Sequence, residues 1–214
     1  MSDAAKALIA GFRRFRAHGF TKQRELYEEL EKGQSPHTLI IACSDSRVDP
    51  AEIFDARPGE LFVVRNVANL VPPYDHDGGR HGVSAALEFA VKALKVKNIL
   101  VMGHGQCGGV AACAHGIEKL DFEFVGPWLE PMLPAREASV EALGESDIDA
   151  LSNDLELRSV EYSVARLKEF PFVAEAIAER GLTLHGARFS IATGELEWMS
   201  PEGAFDRVAP SEVA

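Results

Sequence analysis

Residues 98–110, NILVMGHGQCGGV, join a short apolar run to a glycine-rich segment that contains a histidine and a cysteine. The run 98–103 is rich in Ile and Val and polar only at its start, which is typical of a strand buried on both faces of a parallel sheet. Two chemistries fit the glycine-rich segment. Residues 103–108 spell the G-x-G-x-x-G of a dinucleotide-binding loop, whereas His104 and Cys107 have the spacing of metal ligands.

Two similar apolar runs precede this one, HTLIIAC at 37–43 and ELFVVRN at 60–66. Between the second and third runs, HGVSAALEFAVKAL at 81–94 repeats apolar residues every three or four positions, which predicts a helix. The order strand, helix, strand is that of a parallel crossover unit. We therefore predict an α/β fold with a central, mostly parallel β-sheet flanked by helices.

The two ends of the chain predict further elements. Leu8, Phe12 and Phe15 recur at helical spacing, and a second helix is expected from residue 21 to Gly33. Apolar residues return to helical spacing over 155–180, with Pro171 expected to kink or divide the helix.

Residues 182–199, LTLHGARFSIATGELEWM, alternate around Gly194, which predicts a hairpin at a sheet edge. The sequence has no internal repeat and no flexible linker. We therefore predict that residues 1–214 form a single domain.

Composition excludes several kinds of partner. The 214 residues carry a formal net charge of -11, which opposes binding to nucleic acid, itself a polyanion. No run approaches the ~18 apolar residues of a membrane span, so no membrane association is expected. Three cysteines without compact spacing do not predict a disulfide framework. We expect a protein of a reducing compartment, the cytoplasm.

The strongest chemical signal comes from the ends of two predicted strands. Cys43 ends the first run and begins the polar cluster CSDSR, while His104 and Cys107 follow the third run. The carboxyl ends of neighbouring parallel strands meet at one edge of a sheet, so these three side chains would come together there. Two cysteines and one histidine leave one coordination position open, as in a catalytic zinc site, whereas a structural zinc site is closed by four ligands. Cys113, six residues beyond Cys107, is expected to be a buried apolar residue instead.

The alternative interpretation of the glycine-rich segment as a dinucleotide-binding loop lacks its second half. That fingerprint requires an acidic residue at the end of a following strand ~20 residues on. Here the corresponding region is EKLDFEFVGP, residues 118–127, with no clear strand before its acidic residues. In a metal site, the glycines Gly103, Gly105 and Gly108 would give the backbone freedom to turn tightly between strand and helix.

Three motifs, ACSDSRV, RNVANLVPPY and GHGQCGG, occur here in an order and spacing that resemble the β-class carbonic anhydrases, over about residues 34–110. The resemblance implies one Zn²⁺ per chain, held by Cys43, His104 and Cys107. It also implies an Asp-Arg dyad at Asp45 and Arg47. The implied activity is the reversible hydration of carbon dioxide to bicarbonate and a proton, by attack of zinc-bound hydroxide.

The resemblance further implies a substrate pocket and a branch of the family. In one branch a Trp and a Tyr build a bicarbonate site that accompanies an inactive form, but Ile40 and Phe189 stand at those positions here. The chain is more similar to the open-site branch. That branch lines its substrate pocket with residues that correspond to Gln34, Phe62, Val67 and Phe89, the last replacing a Tyr.

In this family the pocket lies at a dimer interface and an N-terminal helical arm wraps the partner. The resemblance thus implies that residues 1–33 form such an arm and that the protein is a homodimer or homotetramer acting on a small molecule, carbon dioxide or bicarbonate. Three other functions remain as alternatives: hydrolysis of carbonyl sulfide or carbon disulfide on the same scaffold, a structural zinc protein, and, more remotely, dinucleotide binding.

Overall fold

A computed structural model describes residues 1–77 and 79–209 of the chain. In these residues a six-stranded sheet forms the centre of the molecule, in the strand order β2-β1-β3-β4-β5-β6. The strands are β1 (Thr38–Cys43), β2 (Leu61–Asn66), β3 (Asn98–His104), β4 (Thr183–Phe189), β5 (Leu196–Met199) and β6 (Phe205–Arg207).

Helices pack on the sheet, and three further helices precede its first strand in the chain. The α-helices are α1 (Asp3–Arg14), α2 (Phe20–Lys22), α3 (Arg24–Leu30), α4 (Pro50–Ile53), α5 (Gly82–Glu88), α6 (Gly108–His115), α7 (Val125–Leu129), α8 (Leu133–Leu143), α9 (Ile148–Leu167) and α10 (Pro171–Arg180). Short π-helical turns at Phe15–Gly19 and Phe89–Ala93 follow α1 and α5, and 3₁₀ turns occupy Val67–Asn69, Ile117–Lys119 and Glu130–Met132. Pro171 begins α10, so it divides the predicted helix as expected from its missing N–H.

The sheet is parallel from β2 through β4 and antiparallel from there to its edge. This confirms the predicted α/β class with a mostly parallel sheet, and the predicted hairpin is β4 paired with β5. One detail differs from the prediction. β4 lies inside the sheet beside β3, and the edge is formed by β6, a strand of three residues that is too short to leave an alternating pattern in the sequence.

The apolar runs are continuous because both faces of β1 and β3 are covered. On one face, the strand side chains pack with residues of α5, α9 and α10. This cluster includes Leu39, Ile41, Ile99 and Val101 of the strands and Leu87 and Val160 of the helices. On the other face Ile40, Ala42, Leu100 and Met102 form a smaller apolar cluster with Ala187. A strand buried on two faces has no polar positions to alternate, which is why these runs resemble parallel rather than antiparallel strands.

The N-terminal helices α1 to α3 contain no buried residue. Leu8 is 77% exposed and Phe12 62% exposed, while Phe15, Phe20 and Tyr27 pack their rings against one another. These helices therefore present apolar side chains to the outside of the single chain. None of the helices in residues 1–77 and 79–209 combines the length and apolar character that a bilayer crossing requires.

Candidate metal centre

Three buried side chains converge at the carboxyl edge of the parallel strands. Cys43 is the last residue of β1, His104 is the last residue of β3, and Cys107 caps the N-terminus of α6. Because β1 and β3 are neighbours, their ends lie side by side. One ligand atom from each of the three residues lies within 4.8 Å of the others, and the two Sγ atoms are 3.9 Å apart.

The imidazole of His104 is oriented by a hydrogen bond between its Nδ1 and the carbonyl oxygen of Gly105, at 2.9 Å. With the proton on Nδ1, the lone pair of Nε2 is available to a metal, which is the usual arrangement of a ligating histidine. Nε2 is buried and has no hydrogen-bond partner in the described part of the chain. A buried, unpaired nitrogen beside two sulfurs is costly in a protein without a ligand there. The residues present therefore fit a metal ion.

The sulfurs also favour a cation electrostatically. The hydrogen bond between the two sulfurs, and to a lesser extent the imidazole of His104, lowers the pKa of the Cys43 thiol. The same pairing, together with burial, raises the pKa of Cys107 above its usual range. In the protein alone only one sulfur thus ionises readily, because a second negative charge at 3.9 Å is unfavourable. A divalent cation between the sulfurs would remove that repulsion.

Asp45 and Arg47 form an ion pair at the rim of the three-residue cluster. Arg47 donates from its backbone N and from Nε to Oδ1 of Asp45, each at 2.9 Å, and from Nη2 to Oδ2 at 2.6 Å. These bonds hold the pKa of Asp45 well below its usual range. Oδ2 lies 4.0 Å from Nε2 of His104. The carboxylate is therefore ionised beside the cluster, with both oxygens bound to Arg47.

The turn that joins His104 to Cys107, called the ligand turn from here on, is built differently from the expectation. Gly103, Gly105 and Gly108 do not have positive φ angles, so backbone freedom is not what these glycines supply. The left-handed residue is Gln106, with φ 57°, an uncommon conformation for a residue with a side chain. What Gly103 and Gly105 provide instead is space, because a Cβ at either would lie within 3.3 Å of a neighbouring side chain.

Arg65, on β2, begins the motif RNVANLVPPY, but the motif does not show what the side chain binds. Its guanidinium donates to the carbonyl oxygens of Cys43 at 2.8 Å, Asp45 at 2.6 Å and Val48 at 3.0 Å. Arg65 is also the one charged residue of the run LFVVRN, which marks the residue but not its partners. These bonds hold the segment that carries Cys43 and Asp45.

Behind the ligand turn, Glu156 of α9 is 3% exposed and accepts a hydrogen bond from the backbone N–H of Cys107 at 3.3 Å. Arg188 of β4 donates to Glu156 and to Glu197 of β5. No motif could have identified these residues, since charged residues on a helix and a strand are normally exposed.

The four residues expected to line a substrate pocket fall into two groups. Val67 follows β2, and a Cβ added to Gly109 would lie 2.9 Å from its methyl group, so Val67 lies beside the ligand turn. Phe62 and Phe89 contact each other, with ring centroids 5.9 Å apart. Phe62 pairs with Leu39, four residues before Cys43, which corresponds to about 13 Å along the strand. Gln34 precedes β1 altogether.

Cys113 is fully buried in the apolar cluster around α6 and is not part of the metal-ligand group. Burial raises the pKa of its thiol to about 11. The prediction that Cys113 packs as an apolar residue is confirmed. All three cysteines are free.

Two cysteines and a histidine are buried together at the carboxyl edge of a mostly parallel sheet. This is the arrangement of an α/β protein in which three side chains can hold a metal ion. Comparison with known proteins identifies the family. The carbonic anhydrase family model matches residues 38–196. β-Carbonic anhydrase 3 of Arabidopsis thaliana is 35% identical over 199 residues, which cover 91% of this chain and 76% of that protein. The chain belongs to the β-carbonic anhydrase family and is a carbonic anhydrase.

Solved structures agree over nearly the whole chain. The β-carbonic anhydrase CcaA superposes with a TM-score of 0.89 at 29% identity, covering 98% of this chain and 94% of that one. One of two tetrameric β-carbonic anhydrases from Sordaria macrospora gives a TM-score of 0.83 at 31% identity, covering 97% and 100%. The dinucleotide-binding alternative finds no support in these comparisons.

Proposed function

We propose that this protein catalyses the reversible hydration of carbon dioxide with one Zn²⁺ bound by Cys43, His104 and Cys107. The observation that supports the proposal most directly is the convergence of three buried ligand atoms within 4.8 Å. Thiolate and imidazole are ligands that zinc prefers, and three protein ligands leave a fourth position for solvent or substrate. When bound, zinc lowers the pKa of water so that hydroxide is available near neutral pH.

The proposed role of Asp45 is to orient the nucleophile. Its ionised carboxylate can only accept hydrogen bonds, so it selects the orientation in which a water or hydroxide donates its hydrogen to Asp45 and directs a lone pair to carbon dioxide. Arg47 keeps Asp45 ionised and, through bonds to both carboxylate oxygens, holds it to the side of the ligand cluster. This arrangement supports the open-site branch of the family for this chain.

We propose that the substrate pocket is completed by a second copy of the chain. We also propose that residues 1–214 form one domain, in which residues 1–33 are the helical arm that contacts the second copy. Phe62 pairs with Leu39, about 13 Å along the strand from Cys43, Phe89 contacts Phe62, and Gln34 precedes β1, so these residues lie apart from the cluster of their own chain. Val67 lies beside its own ligand turn. A homodimer, or a homotetramer as in the Sordaria proteins, would bring the two groups together.

The free cysteines support the cytoplasm as the location of the protein.

The proposal is tested by metal analysis combined with stopped-flow carbon dioxide hydration on the wild type, Cys107→Ala, Cys113→Ala and Asp45→Asn. We expect one zinc per wild-type chain, loss of zinc and activity in Cys107→Ala, and zinc retained with reduced kcat in Asp45→Asn. Cys113→Ala is the matched control, because it removes a buried thiol outside the cluster and should keep both zinc and activity. Stoichiometric zinc without hydration activity in the wild type would contradict the proposal, and turnover of carbonyl sulfide or carbon disulfide would then identify the alternative.

A further inference from the structure

One peptide group in the ligand turn is bound from both sides by charged side chains. Arg47 Nη2 donates to the carbonyl oxygen of Gln106 at 3.0 Å, and the N–H of Cys107 donates to Oε1 of Glu156 at 3.3 Å. Both atoms belong to the peptide unit that joins Gln106 to Cys107. The orientation of this unit fixes the direction in which the Cys107 side chain leaves the backbone. Because Gln106 is in the left-handed region, the turn needs such external bonds to hold this conformation.

The two oxygens of Glu156 have different partners. Arg188 makes two hydrogen bonds to Glu156, at 2.8 and 2.6 Å, and both are to Oε2. Oε1 is thus left for the amide of Cys107. The third arm of Arg188 reaches Glu197 at 2.7 Å, so the guanidinium is itself fixed between two carboxylates. Arg188 therefore balances the charge of Glu156 without competing for the oxygen that faces the ligand turn.

Burial makes this arrangement expensive for a purely structural contact. Glu156 is 3% exposed, and a buried ion pair stabilises a fold no better, as a rule, than apolar side chains of similar volume. An apolar pair would join α9 to β4 equally well, but it would offer no acceptor to Cys107. The N-terminal end of α6, which Cys107 caps, is also the end of a helix where a negative charge is favoured.

We infer that Glu156 and Arg188 are positioning residues for the metal ligand Cys107. Glu156 fixes the Gln106–Cys107 peptide group through the amide hydrogen bond, and Arg188 holds the Glu156 carboxylate in place through two hydrogen bonds. The inference rests on the proposed metal site and adds to it two residues that lie behind the ligand turn, on α9 and β4. Outer hydrogen bonds of this kind typically change metal affinity 10- to 100-fold when removed.

Two double variants separate positioning from packing. Glu156→Gln/Arg188→Met and Glu156→Met/Arg188→Met both remove the buried ion pair, but only the first keeps a side-chain oxygen for the Cys107 amide. Three quantities are measured for each protein: the zinc dissociation constant by chelator competition, the thiolate-to-metal charge-transfer absorption of the Co²⁺ form, and the thermal midpoint of the metal-free form. Asp154→Asn is the control, since Asp154 pairs with Arg158 on the same helix at 2.6 Å.

We expect the Met/Met variant to bind zinc about 10- to 100-fold more weakly than the wild type and to show an altered Co²⁺ spectrum. The Gln/Met variant should recover most of that affinity and the wild-type spectrum, and Asp154→Asn should match the wild type. Equal zinc affinities and spectra for the two double variants would overturn the inference, whatever their thermal midpoints. A wild type that binds no zinc would instead refute the proposed function, and the inference with it.

Discussion

Arg65 shows how one side chain can organise a metal-ligand segment without touching the ligand atoms. Its guanidinium donates to three backbone carbonyls between Cys43 and Val48. Hydrogen bonds that involve a charged group contribute about 1.5–3 kcal/mol each when they are buried and well aligned. The segment they hold contains both Cys43 and Asp45, so stability and site geometry depend on the same residue.

We predict that Arg65→Met lowers the free energy of unfolding of the metal-free protein by about 2–4 kcal/mol. The loss is smaller than the sum over three such bonds because the Arg65 side chain is 28% exposed, so water can bind the carbonyls that lose their charged donor. Chemical denaturation monitored by circular dichroism measures the change. Arg57→Met is the control: Arg57 pairs with Glu60 in solvent, and an exposed pair is worth about 0–1 kcal/mol. Equal stability of the two variants would show that Arg65 is not a structural centre of this segment.

The sequence predicts that Cys43, His104 and Cys107 come together, which the structure confirms, but it does not predict the residues that hold them. Cys43, His104 and Cys107 follow apolar runs, and the rule that parallel strand ends meet at one edge is enough to group them. Arg65 and Glu156 act through backbone groups, and any residue can present a carbonyl or an N–H. Even where such a residue belongs to a motif, as Arg65 does, the motif does not show which backbone groups it binds, and only the three-dimensional path of the chain identifies them.

At the level of elements, one valine of α9, Val160, is set between two glycines of the sheet. A Cβ at Gly103 of β3 would lie 2.6 Å from Cγ2 of Val160, and a Cβ at Gly186 of β4 would lie 2.8 Å from Cγ1. Such distances are well inside van der Waals contact. The glycines let the helix approach two adjacent strands at the level of the ligand turn. A glycine is therefore needed at position 103 because a larger side chain would not fit, and not because the backbone there has a positive φ.

We predict that Gly103→Ala destabilises the protein by about 1–3 kcal/mol through overpacking against Val160. Combined with Val160→Ala, the loss should be smaller than the sum of the two single losses by at least about 0.5 kcal/mol, since the second change removes the clash. Gly126→Ala, where an added Cβ meets nothing within 4 Å, is the control and should be neutral or slightly stabilising. Strict additivity of the two changes in denaturation experiments would contradict this account.

Long, buried strands are predicted from the sequence more readily than short, exposed ones. β1 and β3 are almost fully buried runs of six and seven residues, and both are correctly predicted. β6 has three residues, partly exposed, and its pairing with β5 depends on a tertiary position that no local pattern encodes. The close approach of α9 is equally invisible, because a glycine kept for space and a glycine kept for conformation look the same in a sequence.

For the whole molecule, the exposed apolar side chains of α1 predict assembly. Leu8 and Phe12 lie one helical turn apart and are mostly exposed in the single chain. We predict that removal of residues 1–33, or Leu8→Asp combined with Phe12→Asp, reduces the number of chains per particle, obtained by analytical ultracentrifugation as the measured mass divided by the mass of the variant's own chain. Arg13→Asp, which changes charge on the same helix without removing apolar surface, should leave that number unchanged. Retention of the wild-type number of chains after truncation would show that the arm does not hold the assembly together.

The separation of the pocket residues gives the sharpest test of the assembly, because it concerns which chain supplies which half of a site. Cys107→Ala removes one ligand of the proposed metal site of a chain but leaves Gln34 and Phe89 intact. Gln34→Ala/Phe89→Ala does the opposite, at two exposed positions whose loss should not disturb the core. If the pocket of one chain serves the metal of the other, a mixed dimer contains one complete site, made from the metal ligands of the second variant and the pocket residues of the first.

We therefore predict that mixed dimers, isolated through two different affinity tags, recover up to about half of the wild-type carbon dioxide hydration rate per dimer, as expected for one working site of two in a symmetric pair. Each variant alone should be impaired, Cys107→Ala most severely. If all pocket residues served the metal of their own chain, neither half of the mixed dimer would hold a complete site. Its rate would then equal the mean of the two parent variants, and the pocket of each chain would be shown to serve the metal of that same chain.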